Sequence, residues 1–194
     1  MNRVNKKIIG TDQSASVFLV PADKDYLATR LLFGTGSLTT LAAYHAQQAL
    51  EKYLKAFTVQ QDKKYLKDHN LEKLRQMASN YNSYFSQPDF KEGLEKFNVF
   101  DQVARYSAEA SYDPLAIKTP EFESKGVFVF SFSHLTILDK LVYEIRQLFD
   151  FTRIRTVDSL KAILEDRNDV QLVVTWKLPI PLKEILTIKN DFFK

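Results

Sequence analysis

The stretch Ala42-Ala43-Tyr44-His45-Ala46-Gln47-Gln48-Ala49-Leu50-Glu51-Lys52 limits what this chain can become more than any other. Advancing about 100° per residue from Ala46 brings Ala42, Ala49, Leu50, Tyr53 and Phe57 onto one face, and Ala43, Leu54 and Ala56 widen it. The pattern predicts a helix over 38–58. Small side chains at 42, 43, 46 and 49 allow a second helix to approach closely, so this helix belongs in a bundle. Tyr44, Gln48, Glu51 and Lys55 fall on the far side, where Glu51 and Lys55 form a favourable exposed i,i+4 pair. His45 and Lys52 stand on one border of the apolar stripe and Gln47 on the other.

The other segments read as elements of the same bundle. Residues 1–20 look like an arm with a short strand over 16–20. Pro21 then opens a helix whose first turn holds Asp23 and Asp25 at the positive end of its dipole. Leu27, Leu31 and Leu32 give that helix an apolar side, Gly34 and Gly36 end it, and Ser37 is placed to cap the next one. After a charged connection over 61–67, Asp68 or Asn70 caps a third helix carrying Leu71, Leu74, Met77 and Ala78. Pro88 and Asp89 start a fourth, with Phe90, Leu94, Phe97, Phe100 and Ala104 at three- and four-residue steps. Pro114 and Pro120 mark a surface loop over 108–125. Residues 127–132 read either as a strand or as the lead into a fifth helix, where Leu135, Leu138, Leu141, Val142, Ile145 and Leu148 form the apolar stripe. Asp139, Lys140, Glu144 and Arg146 are left to solvent.

Beyond residue 151 the character changes: a short helix over 157–166, a strand over 170–176 and a last helix over 181–190. The expected fold is mainly α, an up-and-down bundle of about five helices with a small α/β C-terminal appendage. Its divisions are an arm at 1–20, the bundle at 21–150 and an extension at 151–194.

Composition closes off several functional classes. The 15 Phe and 9 Tyr argue against disorder, because rings bury enough area to offset chain entropy. With no cysteine, disulfides and thiolate zinc sites are excluded, and three scattered histidines show no zinc spacing. The net charge of +3 permits an RNA-facing patch without requiring one. No apolar run is long enough for a signal peptide or a membrane span, so the expected location is the cytoplasm. Gly34-Thr35-Gly36-Ser37 lacks the lysine that follows a phosphate-binding P-loop. No cofactor and no metal is expected.

The run from Ala43 through Ala56, the preceding Asp25-Tyr26-Leu27-Ala28, the later His69-Asn70-Leu71 and Ala104-Arg105-Tyr106 together resemble the HEPN domain family (higher-eukaryote and prokaryote nucleotide-binding). The resemblance covers roughly residues 21–150. It implies a helical bundle that homodimerises and is often encoded beside a nucleotidyltransferase, in toxin–antitoxin pairs. It also implies either metal-independent RNA cleavage or binding of nucleotides and other ligands. Cleaving members carry an Arg followed, after four to six residues, by His; the Arg stabilises the scissile phosphate and the His moves the proton. Here the positions after Arg105 are Ala110, Ser111 and Tyr112, and no Arg stands at the required distance before His45, His69 or His134. The chain departs from the catalytic pattern, which leans against an enzyme.

Two groups of residues remain as binding candidates. His45, Gln48 and Lys52 share one flank of the long helix and suit a phosphate or nucleotide, or else brace a helix interface. Arg105 with Tyr106, at a helix end before an irregular loop, suits an anion, since a guanidinium grips phosphate bidentately, or else pairs with Glu109 or Asp113. His69 reads as a brace at a helix start. The leading expectation is a non-catalytic ligand- or partner-binding domain acting as a homodimer. Its rivals are a ribonuclease toxin with a degenerate site, partnered by a nucleotidyltransferase, and a structural interaction module.

Overall fold

The computed structural model describes residues 9–11, 14–36, 38–98, 100, 130–154, 156–165 and 181–193. Its elements in chain order are β1 (Ile9–Thr11), α1 (Ser16–Gly34), α2 (Thr39–Asp62), β2 (Lys64–Leu66), α3 (Leu71–Ser79), a 3₁₀ turn at Ser83–Ser86, α4 (Pro88–Asn98), α5 (Phe132–Gln147), α6 (Phe151–Ile154), α7 (Ser159–Leu164) and α8 (Leu182–Thr187). The described fold is a mainly helical bundle.

The α1–α2 hairpin is its frame. Ala42, Ala43, Ala46, Ala49, Leu50, Tyr53, Leu54, Ala56 and Phe57 are all buried, as the helical spacing requires. Lys63, in the left-handed region at φ 50°, ends α2 and donates its N–H to Val59 O. The chain then turns into β2, which pairs antiparallel with β1, Ile9 opposite Leu66. Neither strand was expected at these positions. Asn70 caps α3, accepting from Lys73 N at 3.0 Å. Phe57, Phe85 and Phe90 meet in a ring cluster with centroids 4.7 and 5.2 Å apart, which joins α2 to the 3₁₀ turn and α4. Ser131 precedes α5, its backbone N–H donating to His134 Nδ1 at 3.2 Å. Partial burial and the nearby Lys96 hold the His134 imidazole below its usual pKa, in keeping with a ring nitrogen that accepts.

Three expectations are corrected. Residues 16–20 are helical, not a strand: α1 begins five residues before Pro21, and Pro21 sits inside its early turns. Asp23 and Asp25 therefore stand well inside α1 and do not serve its dipole. Glu51 and Lys55 are buried, as are Asp139 and Arg146, all four of which the apolar stripes had left to solvent.

The tail explains part of that burial. Ile154, Leu160, Ile163, Leu186 and Phe193 join the same apolar core as α1, α2 and α5. Arg146 on α5 is ion-paired with Asp23 on α1 and with Asp158, the residue that caps α7. Tyr53 Oη donates to Asp23 at 2.6 Å. Arg30 donates to Asp139 at 2.5 Å and to Ile185 O at 2.7 Å, and also to Ile188 O. Tyr26 Oη donates to Asp139 at 2.7 Å and accepts from Asn190 Nδ2 at 3.0 Å. Asp23, Arg30, Asp139 and Arg146 thus each have a partner on another element, the condition under which burial is tolerable. The expected strand at 170–176, Ser37 and Ala104 lie outside the described residues. No helix among the described residues is long and apolar enough to cross a membrane.

Candidate functional site

Asp23 and Asp25, two residues apart on α1, point to different surroundings. Asp23 is wholly buried. Burial pushes its carboxyl up to about 6, against the pull of Arg146 and of the Tyr53 hydroxyl. Burial opposes the charge on Arg146, but Asp23, Tyr53 and Asp158 around it outweigh that and raise its pKa further. Asp25, by contrast, reaches the outer flank of α2. His45 Nδ1 lies 2.8 Å from Asp25 Oδ1, and Lys52 is ion-paired with Oδ2. The two α2 residues expected to share a flank are indeed joined, through a carboxylate the sequence reading had assigned elsewhere.

A second cluster of the same composition lies one helix turn around. Glu51, only 5% exposed, takes Lys55 Nζ at 2.7 Å and faces His69 Nδ1 with both oxygens, at 3.0 and 3.1 Å. His69 comes from the connection before α3. Asp68 Oδ1 accepts from the backbone N–H groups of both His69 and Asn70 and so fixes that connection. Gln47, fully buried, donates to His69 O at 3.2 Å. The His69 side chain remains 54% exposed.

Gln48 links the two clusters. Its amide nitrogen donates to Gln47 Oε1 at 2.7 Å and reaches Glu51 Oε2 at 3.5 Å, while His45 stands one turn before it on α2. The outer face of α2 thus carries, side by side, His45, Gln48 and His69, with Lys52 and Lys55 tied back to carboxylates. In each histidine Nδ1 is engaged by a carboxylate, which fixes the ring and leaves Nε2 as the nitrogen not taken by that carboxylate. The arrangement can hold a ligand by hydrogen bonds, or move a proton at Nε2.

Sequence reasoning missed Asp25, Glu51 and His69 as members of this face. The signal was present for Glu51 alone, as the i,i+4 partner of Lys55. Arg105 and Tyr106 lie outside the described residues. A separate groove of about 190 Å³ runs between α4 and α5, with Gly93, Ile137 and Leu141 at its floor and Asp89, Glu92, Lys96, Lys140 and Glu144 around it. It is smaller than most small-molecule sites and contains none of the expected residues.

The HEPN domain model matches residues 15–124. Neither a curated protein nor a solved structure is similar enough to the chain to count as a match.

Proposed function

Since the chain belongs to the HEPN domain family, we propose that it is a non-catalytic ligand-binding member, acting as a homodimer, whose ligand lies on the outer face of α2. The observation that carries this reading is the row His45, Gln48 and His69, whose side chains are held by Asp25, Gln47 and Glu51 before any ligand arrives. A pre-held polar row lowers the ordering cost of binding. Lys52 steadies the first cluster, and a nucleotide is the expected ligand. Arg105 and Tyr106 stay in the proposal on the sequence argument, as the group that meets a phosphate. The missing Arg-to-His spacing removes the ribonuclease pairing, and the expected setting is the cytoplasm.

Calorimetry with a panel of ribonucleotides tests this. Binding with a dissociation constant below about 1 mM, weakened roughly tenfold by Gln48→Ala, supports it. No heat with any nucleotide would sink it. RNA incubated without metal should stay intact; cleavage lost in His69→Ala would favour the ribonuclease reading, with the Glu51-held imidazole as its base.

One observation favours a protein partner as the second reading. Leu38 and Leu41, at the start of α2, are exposed, and so are Phe132 and Ile188. Phe132 lies beside Phe33 at the end of α1, with ring centroids 6.4 Å apart. Exposed apolar side chains near one end of the hairpin suit a protein contact. Sedimentation of the wild type and of Leu41→Glu separates the cases: a dimer that becomes a monomer places the contact there.

A further inference from the structure

We infer that Arg146, shared between a carboxylate of the bundle and a carboxylate of the tail, makes the docking of α7 a pH-sensitive latch, tight in mild acid and looser at neutral pH.

The charge count is the first support. Arg146 on α5 is paired with Asp23 on α1 and with Asp158, the residue before α7. Tyr53 Oη from α2 donates to Asp23 at 2.6 Å, and the Ser159 side chain at the start of α7 bonds the same carboxyl. The Phe151 ring of α6 lies 5.3 Å from the guanidinium. With both carboxylates ionised, one cation faces two anions, and Asp23 and Arg146 are both buried. Taking up one proton restores the balance, as for any two carboxylates that share a site. The proton belongs on Asp23, because Asp158 keeps a quarter of its side-chain surface in water. Burial chiefly, with the charge of Asp158 adding to it, raises the Asp23 carboxyl to about 6 against the pull of Arg146 and Tyr53.

The second support is the oxygen that ties this charge to the tail. Asp158 Oδ1 takes Arg146 and also accepts from Lys161 N at 3.0 Å, so one atom both holds the guanidinium and caps α7. A helix of six residues does not stand without its cap and its packing. When Asp23 ionises, it competes with Asp158 for Arg146 and repels it. Asp158 can move out to water, whereupon α7 loses its cap and Leu160 and Ile163 give up their places in the core. In that open arrangement Asp23 has Arg146 to itself and no second anion beside it, so it holds its proton less tightly. The group is therefore the stronger acid when the latch is open. Closure is favoured at acid pH and weakens as pH rises through about 6.

Hydrogen exchange of the full-length protein between pH 5 and 7 tests this, read as protection factors so that the intrinsic pH dependence of exchange is divided out. Protection over 159–164 should fall about tenfold across that range, and at every pH it should lie at least tenfold below that of the buried α2 amides over 49–57, the mark of a local opening. Asp23→Asn, which cannot ionise, should hold α7 protection flat within about twofold. Asp158→Asn, which keeps a capping side chain and removes the second anion, should flatten it as well. Wild-type protection over 159–164 that does not fall with pH overturns the inference. So does a fall that survives in either variant, or an α7 that exchanges only together with α2.

Discussion

Asp23 and Asp25 occupy the same helix two residues apart, and their surroundings could hardly differ more. About 200° of helix rotation separates them. Asp23 turns into the bundle to Arg146 and Tyr53, both buried. Asp25 turns to the rim, where His45 and Lys52 keep about a quarter of their side-chain surface in water (27% and 26%). The inner cluster must be complete to be tolerable, because water cannot replace a lost partner. The outer one can lose a member and recover most of the interaction from solvent. One therefore binds helices together, and the other is free to meet a ligand.

Removing a partner from the inner cluster is the strongest way to test that contrast. Arg146→Ala should cost about 3–5 kcal/mol in urea denaturation, since it strands the Asp23 carboxylate; a cost below about 1 kcal/mol would erase the distinction. The same cluster sets a pH response. With its folded pKa at about 6 and its unfolded value near 3.8, Asp23 binds its proton more tightly in the folded state. Its contribution to stability is fully present below about pH 3.8 and is lost as pH rises through 6, a change of about 3 kcal/mol. Subtracting the stability–pH curve of Asp23→Asn from that of the wild type should isolate this fall; a difference that rises with pH would contradict it.

Smaller effects follow outward. Asn190→Ala removes the donor to Tyr26 Oη and the acceptor for the N–H groups of Phe192 and Phe193, and should lower stability by about 1–3 kcal/mol. Lys52→Ala, on the outer cluster, should change stability by less than about 1 kcal/mol. A larger loss measured for Lys52→Ala would mean that the rim is as structural as the interior.

Periodicity made the apolar half of this architecture legible. The stripes of α2 and α5 and the Phe steps of α4 follow from side-chain spacing alone, and their members are buried except Leu148, which is half-buried. The charged half was not legible, for a physical reason. A helical wheel sorts residues by their own polarity, whereas Arg146, Asp139 and Glu51 are buried because complementary groups from other segments meet them, and Lys55 is buried against Glu51 on its own helix. Nothing local in Arg30 announces the carbonyls of Ile185 and Ile188. The start of α1 was misplaced because a proline reads as a first-turn residue, where its missing N–H costs nothing, whereas Pro21 stands past the first turn of α1. His45 and Lys52 were found on their flank because both lie on one helix, at the spacing of two turns. Asp25 and His69 escaped because they reach that flank from other elements.

Arg30 sets an order on the making of this molecule. Its bonds to Ile185 O and Ile188 O close loops of 155 and 158 residues. At synthesis rates of about 5–20 residues per second, the segment holding those carbonyls follows Arg30 out of the ribosome by roughly 8 to 30 seconds. Asp139 itself follows Arg30 by 109 residues, so for most of that interval Arg30 and Tyr26 have only their own helix and water. The helix that emerges early is finished late, and a nascent bundle keeps an open polar seam until the segment around residue 188 arrives to close it.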